Sequence, residues 1–191
     1  MKIPSGFARI NDEVYVADGN PTIVTDDAIA FLKFVAEKNR RGRARLCAHP
    51  GNDDALHEML IAHTGGAYVQ PHKHRGKSES FHIVEGRLKI FLFGDDATWK
   101  QTIQMAKPGG GGSFFYRLHS ETFHSVLPET DFVVFHEVTN GPFDIADRVD
   151  AEWAPAEDGD PALQSAFIEA WLKGAGLPAG ASHSGTQGGT T

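Results

Sequence analysis

Two histidines separated by one residue, with a glutamate soon after them, constrain this chain more than any other feature. His72 and His74 precede a short polar turn at 75–78, and Glu79 follows that turn. Side chains alternate between the two faces of a β-strand, so His72 and His74 are expected to point to the same side. If the turn folds the next strand beside the first, Glu79 stands next to both imidazoles. Two imidazoles and a carboxylate are typical ligands of a divalent transition metal, so the sequence predicts a metal site here.

Two glycines bracket this segment at fixed distances. Gly66 precedes His72 by six positions, and Gly86 follows Glu79 by seven. The combined spacing of Gly66, His72, His74, Glu79 and Gly86 resembles the first motif of the cupin superfamily. That resemblance implies a double-stranded β-helix, or jelly-roll barrel, that carries its metal ion on the inner wall.

Flanking segments narrow the resemblance. Segments 43–49, 77–86, 141–143 and 153–157 are similar to the WbuC family of cupin-fold metalloproteins, and the similarity covers about residues 10–157. That family is associated with bacterial surface-polysaccharide gene clusters, and its reaction is not firmly assigned. The resemblance therefore implies a fold and a metal site, and it suggests a link to polysaccharide metabolism.

A fourth ligand is implied by the second cupin motif, of which this chain keeps only the histidine, His124. Positions 113, 119, 121 and 128 hold Ser, His, Glu and Pro where the family has Gly, Pro, Gly and Asn. His119 is the alternative ligand, because five residues separate it from His124 and one regular strand cannot aim both inward. Glu121 and His136 are the spare candidates for acid or base chemistry.

Short apolar runs separated by turn residues predict a mainly β protein. We expect strands at 13–17, 43–49, 56–63, 87–93, 99–106, 113–118, 123–127 and 131–138, in addition to the hairpin that carries the histidines. The strand at 56–63 places His57 and His63 on one face, where a second metal site is conceivable but lacks a nearby carboxylate. This pattern favours a sandwich or barrel, and a double-sheet jelly roll fits both the pattern and the cupin resemblance.

Two helices are expected to flank the barrel. The first would begin after an N-cap at Thr25 and end at Gly42; the second would begin at Pro161 with Asp160 as its cap. The second helix should dock on the barrel or on another subunit. The expected organisation is an N-terminal strand and helix at 1–42, a barrel at 43–150, a linker and helix at 151–173, and a disordered tail without function at 174–191.

Composition limits the partners and the compartment. A net charge of −7 and a pI near 5.8 favour neither nucleic acid nor an anionic membrane as partner. The single cysteine, Cys47, cannot form a disulfide within the chain, and the first residues lack a signal-peptide pattern, so we expect a cytoplasmic protein. By analogy with other cupins, we expect a homodimer.

These features favour a small-molecule metalloenzyme, either an oxygenase or a sugar isomerase or epimerase. The alternative is a non-catalytic module that binds a sugar or carboxylate through the metal; a purely structural site is a third reading. His72, His74, Glu79 and His124 would hold one divalent ion of iron, zinc, manganese or nickel. Phe81 and Ile83 would form a dry wall, and no catalytic residue is assigned.

Overall fold

Two β-sheets pack face to face in the computed structural model, which describes residues 1–174. The larger sheet has seven strands in the order β1-β2-β3-β4-β11-β6-β9, and the smaller has five in the order β12-β5-β10-β7-β8, numbered along the chain. The larger sheet contains β1 (Phe7–Arg9), β2 (Val14–Ala17), β3 (Arg43–Cys47), β4 (Leu56–Thr64), β6 (Glu79–Glu85), β9 (Phe115–Leu118) and β11 (Phe132–Asn140). The smaller sheet contains β5 (His72–His74), β7 (Arg87–Phe93), β8 (Trp99–Ala106), β10 (Phe123–Pro128) and β12 (Arg148–Asp150).

Side-chain alternation builds the core between the two sheets. On β6, Glu79, Phe81 and Ile83 are buried, whereas His82 and Val84 are exposed. The inward residues of both sheets form one apolar cluster that includes Met59, Ile61, Phe81, Ile83, Leu88, Ile90, Val126 and Phe135. The expected mainly β jelly roll is therefore confirmed, and Phe81 and Ile83 do form part of its buried wall.

The first helix, α1 (Asp26–Lys38), covers the outer face of the larger sheet. Phe31 and Leu32 are buried in an apolar cluster with Leu46 of β3 and Ala62 of β4. Thr25 occupies the N-cap position as predicted, with two aspartates in the first turn. The expected end at Gly42 was wrong: the helix ends at Lys38 with Asn39 as its C-cap, and Gly42 lies beyond it at φ +63°.

The second helix, α2 (Pro161–Leu172), docks on the smaller sheet of its own chain. Asp160 caps it, since its carboxylate accepts a hydrogen bond from the Ala162 N–H at 2.8 Å. Phe167 and Trp171 are buried in an aromatic cluster with Phe91, Phe93, Phe123 and other residues.

Most strands lie where the apolar runs predicted them, and two were missed. The ranges of β7 and β8 match the prediction, while β3 ends at Cys47 and β9 begins only at Phe115. Strands β1 and β12 are three residues long and were not predicted. Within residues 1–174, no helix is long and apolar enough to cross a membrane. Of the tail expected at 174–191, all but Gly174 lies outside the described residues.

Candidate metal centre

Three strands bring the predicted ligands together. His72 and His74 lie on β5, Glu79 begins β6 and His124 lies on β10. His124 is directly paired with His72 in the antiparallel ladder between β10 and β5. Residues 52 positions apart in sequence thus become neighbours on one wall of the barrel.

The imidazoles and the carboxylate converge on one point. The ligand nitrogens of His72, His74 and His124 all lie within 4.8 Å of one another. Glu79 stands beside them, with Oε1 3.0 Å from His124 Nε2 and Oε2 3.7 Å from His74 Nε2. The expected hairpin was wrong, because β5 belongs to the smaller sheet and β6 to the larger, so the turn at 75–78 crosses between the sheets. The four predicted side chains nevertheless meet in the geometry that a four-ligand site needs.

Backbone carbonyls orient two of the imidazoles. The Nδ1 atoms of His72 and His124 lie 2.9 Å from the Gln70 carbonyl oxygen and 3.0 Å from that of Thr122. A carbonyl accepts only, so Nδ1 carries the proton in each ring and Nε2 is left with a lone pair when the ring is neutral. This arrangement is typical of metal-binding histidines, whose second nitrogen fixes the ring orientation.

Burial and charge tune these groups. Burial, together with the neighbouring His124 and Arg148, lowers the pKa of His72 well below its usual value, and burial also lowers the pKa of His74. For His124, burial opposes the charged form, but the Glu79 carboxylate outweighs it and raises the pKa. The pKa of Glu79 is lowered because the attraction of His124 and His74 exceeds the opposing effect of burial.

The buried carboxylate of Glu79 is the strongest indication of a bound cation. Its side chain is 5% exposed, and no donor meets Oε1 with hydrogen-bond geometry within residues 1–174. A buried carboxylate oxygen without a hydrogen bond is costly unless a positive charge compensates it. Three imidazoles and an acidic oxygen suit a divalent transition metal, which would replace the proton that His124 and Glu79 share, so the donor set fits such an ion.

The turn at 75–78 is anchored on both sides, which fixes the start of β6. Asn140 Oδ1 accepts from the Ser78 N–H at 3.0 Å, and Thr139 donates to the Ser78 carbonyl at 3.0 Å. The Glu121 carboxylate accepts from the Gly76 N–H at 3.0 Å. Glu121 is exposed, so it supports the turn from outside and does not reach the imidazoles.

The other sequence candidates do not join the cluster. His119 is exposed, and His136 lies on the opposite face of β11 from the cavity, with Nε2 3.5 Å from Glu58. His57 and His63 do share an inward face of β4, as predicted, and both line the cavity. His57 instead stacks on His49 at a centroid distance of 4.0 Å, and within residues 1–174 neither residue belongs to a group of three ligands.

A cavity of about 170 Å³ lies beside the site. The candidate ligands form part of its wall, together with apolar residues such as Met59, Phe81 and Phe135. His74 has 26% of its side chain exposed, against 2% for His124, so the site opens to solvent on the His74 side.

Among the polar residues of the cavity, two that matter for its chemistry were not singled out from the sequence. Glu137 lies on β11 and Arg45 on β3, and both line the cavity. Burial, reinforced by the charge of Glu79, raises the pKa of Glu137 to about 7. Strand parity was the available signal. Glu137 lies two positions from the buried Phe135, and Arg45 lies two positions from the buried Arg43 and Cys47, so each shares a strand face with buried residues.

One family model and several solved structures are similar to this chain. A family model described as a domain of unknown function (DUF6016) matches residues 24–105. No curated protein matches the sequence. The crystal structure of protein SO0799 from Shewanella oneidensis is similar with a TM-score of 0.51 and 13% identity, over 67% of this chain and 85% of that one.

Two further solved structures carry descriptive titles. The cupin domain of Cnp3 from Schizosaccharomyces pombe has a TM-score of 0.41 and 13% identity, over 52% of this chain and 64% of that one. The formate complex of oxalate decarboxylase from Lactobacillus farciminis has a TM-score of 0.42 and 15% identity, over 52% of this chain and 27% of that one. This chain thus spans about a quarter of that decarboxylase. At these identities a likeness concerns the fold alone.

Proposed function

We propose that this protein is a metal-dependent enzyme that acts on a small molecule inside the barrel. One observation carries the proposal: three imidazoles and a buried carboxylate meet on the wall of a cavity that is open on one side. A structural metal site is usually closed by its protein ligands, whereas a catalytic site keeps a position for water or substrate. The space beside His74 meets that requirement.

His72, His74, Glu79 and His124 would hold one divalent ion of iron, zinc, manganese or nickel. Such an ion supplies Lewis-acid polarisation of a substrate oxygen or, if it is redox-active, oxygen chemistry. The chain's own contribution is orientation of the imidazoles through the Gln70 and Thr122 carbonyls. Phe81 and Phe135 keep the adjoining wall apolar and limit the access of water.

Glu137 is the proposed proton-transfer group. It lies two residue pairs from Glu79 along the ladder and on the same face, since Thr139 pairs with Glu79 and Glu137 pairs with Phe81. In the metal-free chain, burial and the charge of Glu79 raise the pKa of Glu137 to about 7, and a buried carboxyl of raised pKa suits a group that both accepts and donates a proton. Glu137 therefore replaces Glu121 and His136 as the acid or base candidate.

The reaction class follows from the size of the cavity and from the sequence resemblance. A volume of about 170 Å³ is below the roughly 300–1,000 Å³ of pockets that hold drug-sized ligands, so a whole sugar nucleotide does not fit inside. We infer an oxygenase or isomerase for a small acid or for one sugar unit. The similarity of the sequence to the WbuC family supports a role in surface-polysaccharide metabolism.

Water relaxation measurements on the Mn²⁺-loaded protein test the open coordination position. An enzyme of this kind should show at least one rapidly exchanging water on the ion, seen as enhanced proton relaxation over free Mn²⁺. A closed structural site would show none and would contradict the proposal. His124→Ala is the control, because it should release the ion and return relaxation to the value of free Mn²⁺.

A second measurement separates an enzyme from a binding module. The metal-loaded wild type and the Glu137→Gln variant are incubated with small hydroxy acids and free sugars, with and without oxygen, and products are identified by mass spectrometry. Product formed by the wild type and lost in Glu137→Gln, at equal metal content, supports the enzyme. Binding by both proteins with no product from either favours the non-catalytic module.

A further inference from the structure

Four basic side chains line the cavity, and three of them have carboxylate partners. Each of the three has a nitrogen 2.7–3.0 Å from a carboxylate oxygen; the pairs are Arg43 with Glu157, Lys77 with Asp147, and Arg148 with Asp150. The fourth is Arg45, and no carboxylate oxygen of residues 1–174 lies within 4.0 Å of its guanidinium. The charge of Arg45 lowers the pKa of the nearby Glu137, but the two side chains form no ion pair, so the partly buried guanidinium can still bind an anionic ligand.

The sheet register places this charge deeper in the barrel than the candidate metal ligands. Arg45 Nη1 lies 4.0 Å from Met59 Sδ. Met59 is paired with Glu137, and Glu137 is paired with Phe81, two residues beyond Glu79 on β6. At about 3.3 Å per residue, the guanidinium lies roughly 7 Å below the level of Glu79.

A second polar group at the same end of the cavity lacks a partner. His63 is 5% exposed and lines the cavity, and its Nδ1 has no hydrogen-bond partner within residues 1–174. It lies on β4 opposite Arg43, two residue pairs from the pair of Arg45 with Ile61 and on the same face. Buried polar atoms are nearly always hydrogen-bonded, so this nitrogen also indicates a polar ligand at this end of the cavity.

This inference rests on the metal site proposed above. We propose that Arg45 binds the carboxylate of a small acid whose other oxygen atoms would reach the ion held by the candidate ligands. The two ends of the cavity then have distinct roles. His72, His74, Glu79 and His124 would hold an ion that binds the other oxygen atoms of the acid, and Arg45 would fix its carboxylate by a charge-assisted hydrogen bond. The cavity of about 170 Å³ limits the substrate to a short chain.

Calorimetric titration with a series of acids tests this assignment. The Zn²⁺-loaded wild type is titrated with malonate, succinate and glutarate, which differ in length by one carbon, and with succinamide, which has the shape of succinate without its charge. Inorganic phosphate is the short anionic probe. We expect one of the diacids to bind best and succinamide to bind at least tenfold more weakly than succinate.

The Arg45→Met variant removes the charge and keeps most of the side-chain volume. We expect it to retain the metal and to bind the best diacid about ten- to a hundredfold more weakly, as is usual for the loss of a charge-assisted contact. Arg9→Met is the matched control, because Arg9 is an exposed arginine on β1, and its diacid affinity should be unchanged.

Failure of this inference can be told apart from failure of the proposed metal site. Absence of metal from the reloaded wild type contradicts the metal site. With the metal present, diacid binding that is equal in wild type and Arg45→Met overturns the role of Arg45. Equal binding of succinate and succinamide, or no binding of any diacid, overturns the charged substrate class without requiring the variant to fold. Arg45-dependent binding of phosphate in preference to every diacid overturns the carboxylate assignment.

Discussion

His63 lies deep in the barrel, where its environment favours the neutral imidazole. It packs edge-on against Phe135 at a centroid distance of 5.5 Å. Burial and the charges of Arg45 and Arg41 lower the pKa of His63 to about 3, from an ordinary 6.5. The unfolded chain therefore binds more protons than the folded chain between pH 6.5 and about 3. In that window the contribution of His63 to stability falls as the pH falls.

The His63→Phe variant should weaken the acid sensitivity of the metal-free protein. One differential proton changes the free energy of unfolding by about 1.4 kcal/mol per pH unit at full effect. Urea unfolding in EDTA at pH 6.5, 5.5 and 4.5 should show a shallower decline for His63→Phe than for the wild type. His119→Gln changes an exposed histidine and should follow the wild type. Parallel declines for His63→Phe and the wild type would contradict this prediction.

Site residues could be predicted where they lie close together in sequence. They were missed where strand pairing and the inward face of a sheet bring them into the cavity. His72, His74 and Glu79 lie close together in sequence, so their spacing alone indicated a common site, although β5 and β6 belong to different sheets. His124 came only from the resemblance, since its position beside His72 is created by the pairing of β10 with β5. Glu137 and Arg45 could be recognised only once the inward faces of β11 and β3 were known, because a charged residue carries no apolar signal that marks its position as inward-facing.

At the level of elements, the two glycines that bracket the histidine segment have different roles. Both have left-handed backbones, with φ +89° at Gly66 and +79° at Gly86. A Cβ added at Gly66 would meet no atom within 4 Å, whereas one at Gly86 would lie 2.2 Å from the Phe132 carbonyl oxygen. Gly86 therefore permits the close passage of the β6–β7 junction past the start of β11.

Alanine substitutions should separate backbone strain from steric clash. We expect Gly66→Ala to lower the free energy of unfolding by about 1 kcal/mol through left-handed strain alone. Gly86→Ala adds a clash with a backbone atom and should cost at least about 2 kcal/mol more. Urea denaturation at pH 7 measures both free energies of unfolding. Equal losses in the two variants would contradict the prediction and would show that the backbone at Phe132 shifts to relieve the clash.

The docking of α2 depends on one indole. Trp171 is 5% exposed, and its ring centroid lies 4.7–5.2 Å from those of Phe91, Phe93 and Phe167. Trp171→Ala should reduce the free energy of unfolding by about 3–5 kcal/mol, since it leaves a large cavity. Its neighbour Leu172 is 51% exposed, so Leu172→Ala should cost less than about 0.5 kcal/mol. Similar losses in the two variants would argue against the docked helix.

Long elements could be predicted from the sequence, and short ones could not. Strands β7 and β8 alternate over seven and eight residues, and their predicted bounds match the structure. Strand β12 has three residues and exists because β5 offers it a partner 74 positions earlier, where Arg148 pairs with His74. The end of α1 was misplaced because Gly42 was taken as its stop signal, whereas Asn39 already leaves the helical conformation.

For the whole molecule, the barrel and the metal site are expected to stabilise each other. The four candidate ligands come from three strands, so an ion bound to all four can bind only the folded chain. At a free metal concentration of 100 times the Kd, such binding adds about 2.7 kcal/mol to the free energy of unfolding. EDTA should therefore lower the urea midpoint of the wild type and leave that of His124→Ala unchanged. An equal effect of EDTA on both would indicate binding elsewhere.

Assembly remains a prediction at this scale. The homodimer expected by analogy would appear in sedimentation equilibrium as a mass near twice 20.7 kDa. The candidate ligands all come from one chain, so the proposed site does not depend on that outcome.

The most direct test of the central claim is elemental analysis of the freshly purified protein and two variants. One equivalent of a divalent transition metal in the wild type is expected. It should be lost in His124→Ala, because that imidazole completes the ligand group, and retained in His119→Ala, whose side chain is exposed. Metal retained in His124→Ala, or a wild type that takes up no metal even after reloading, would contradict the assignment of this barrel as a metal-binding protein.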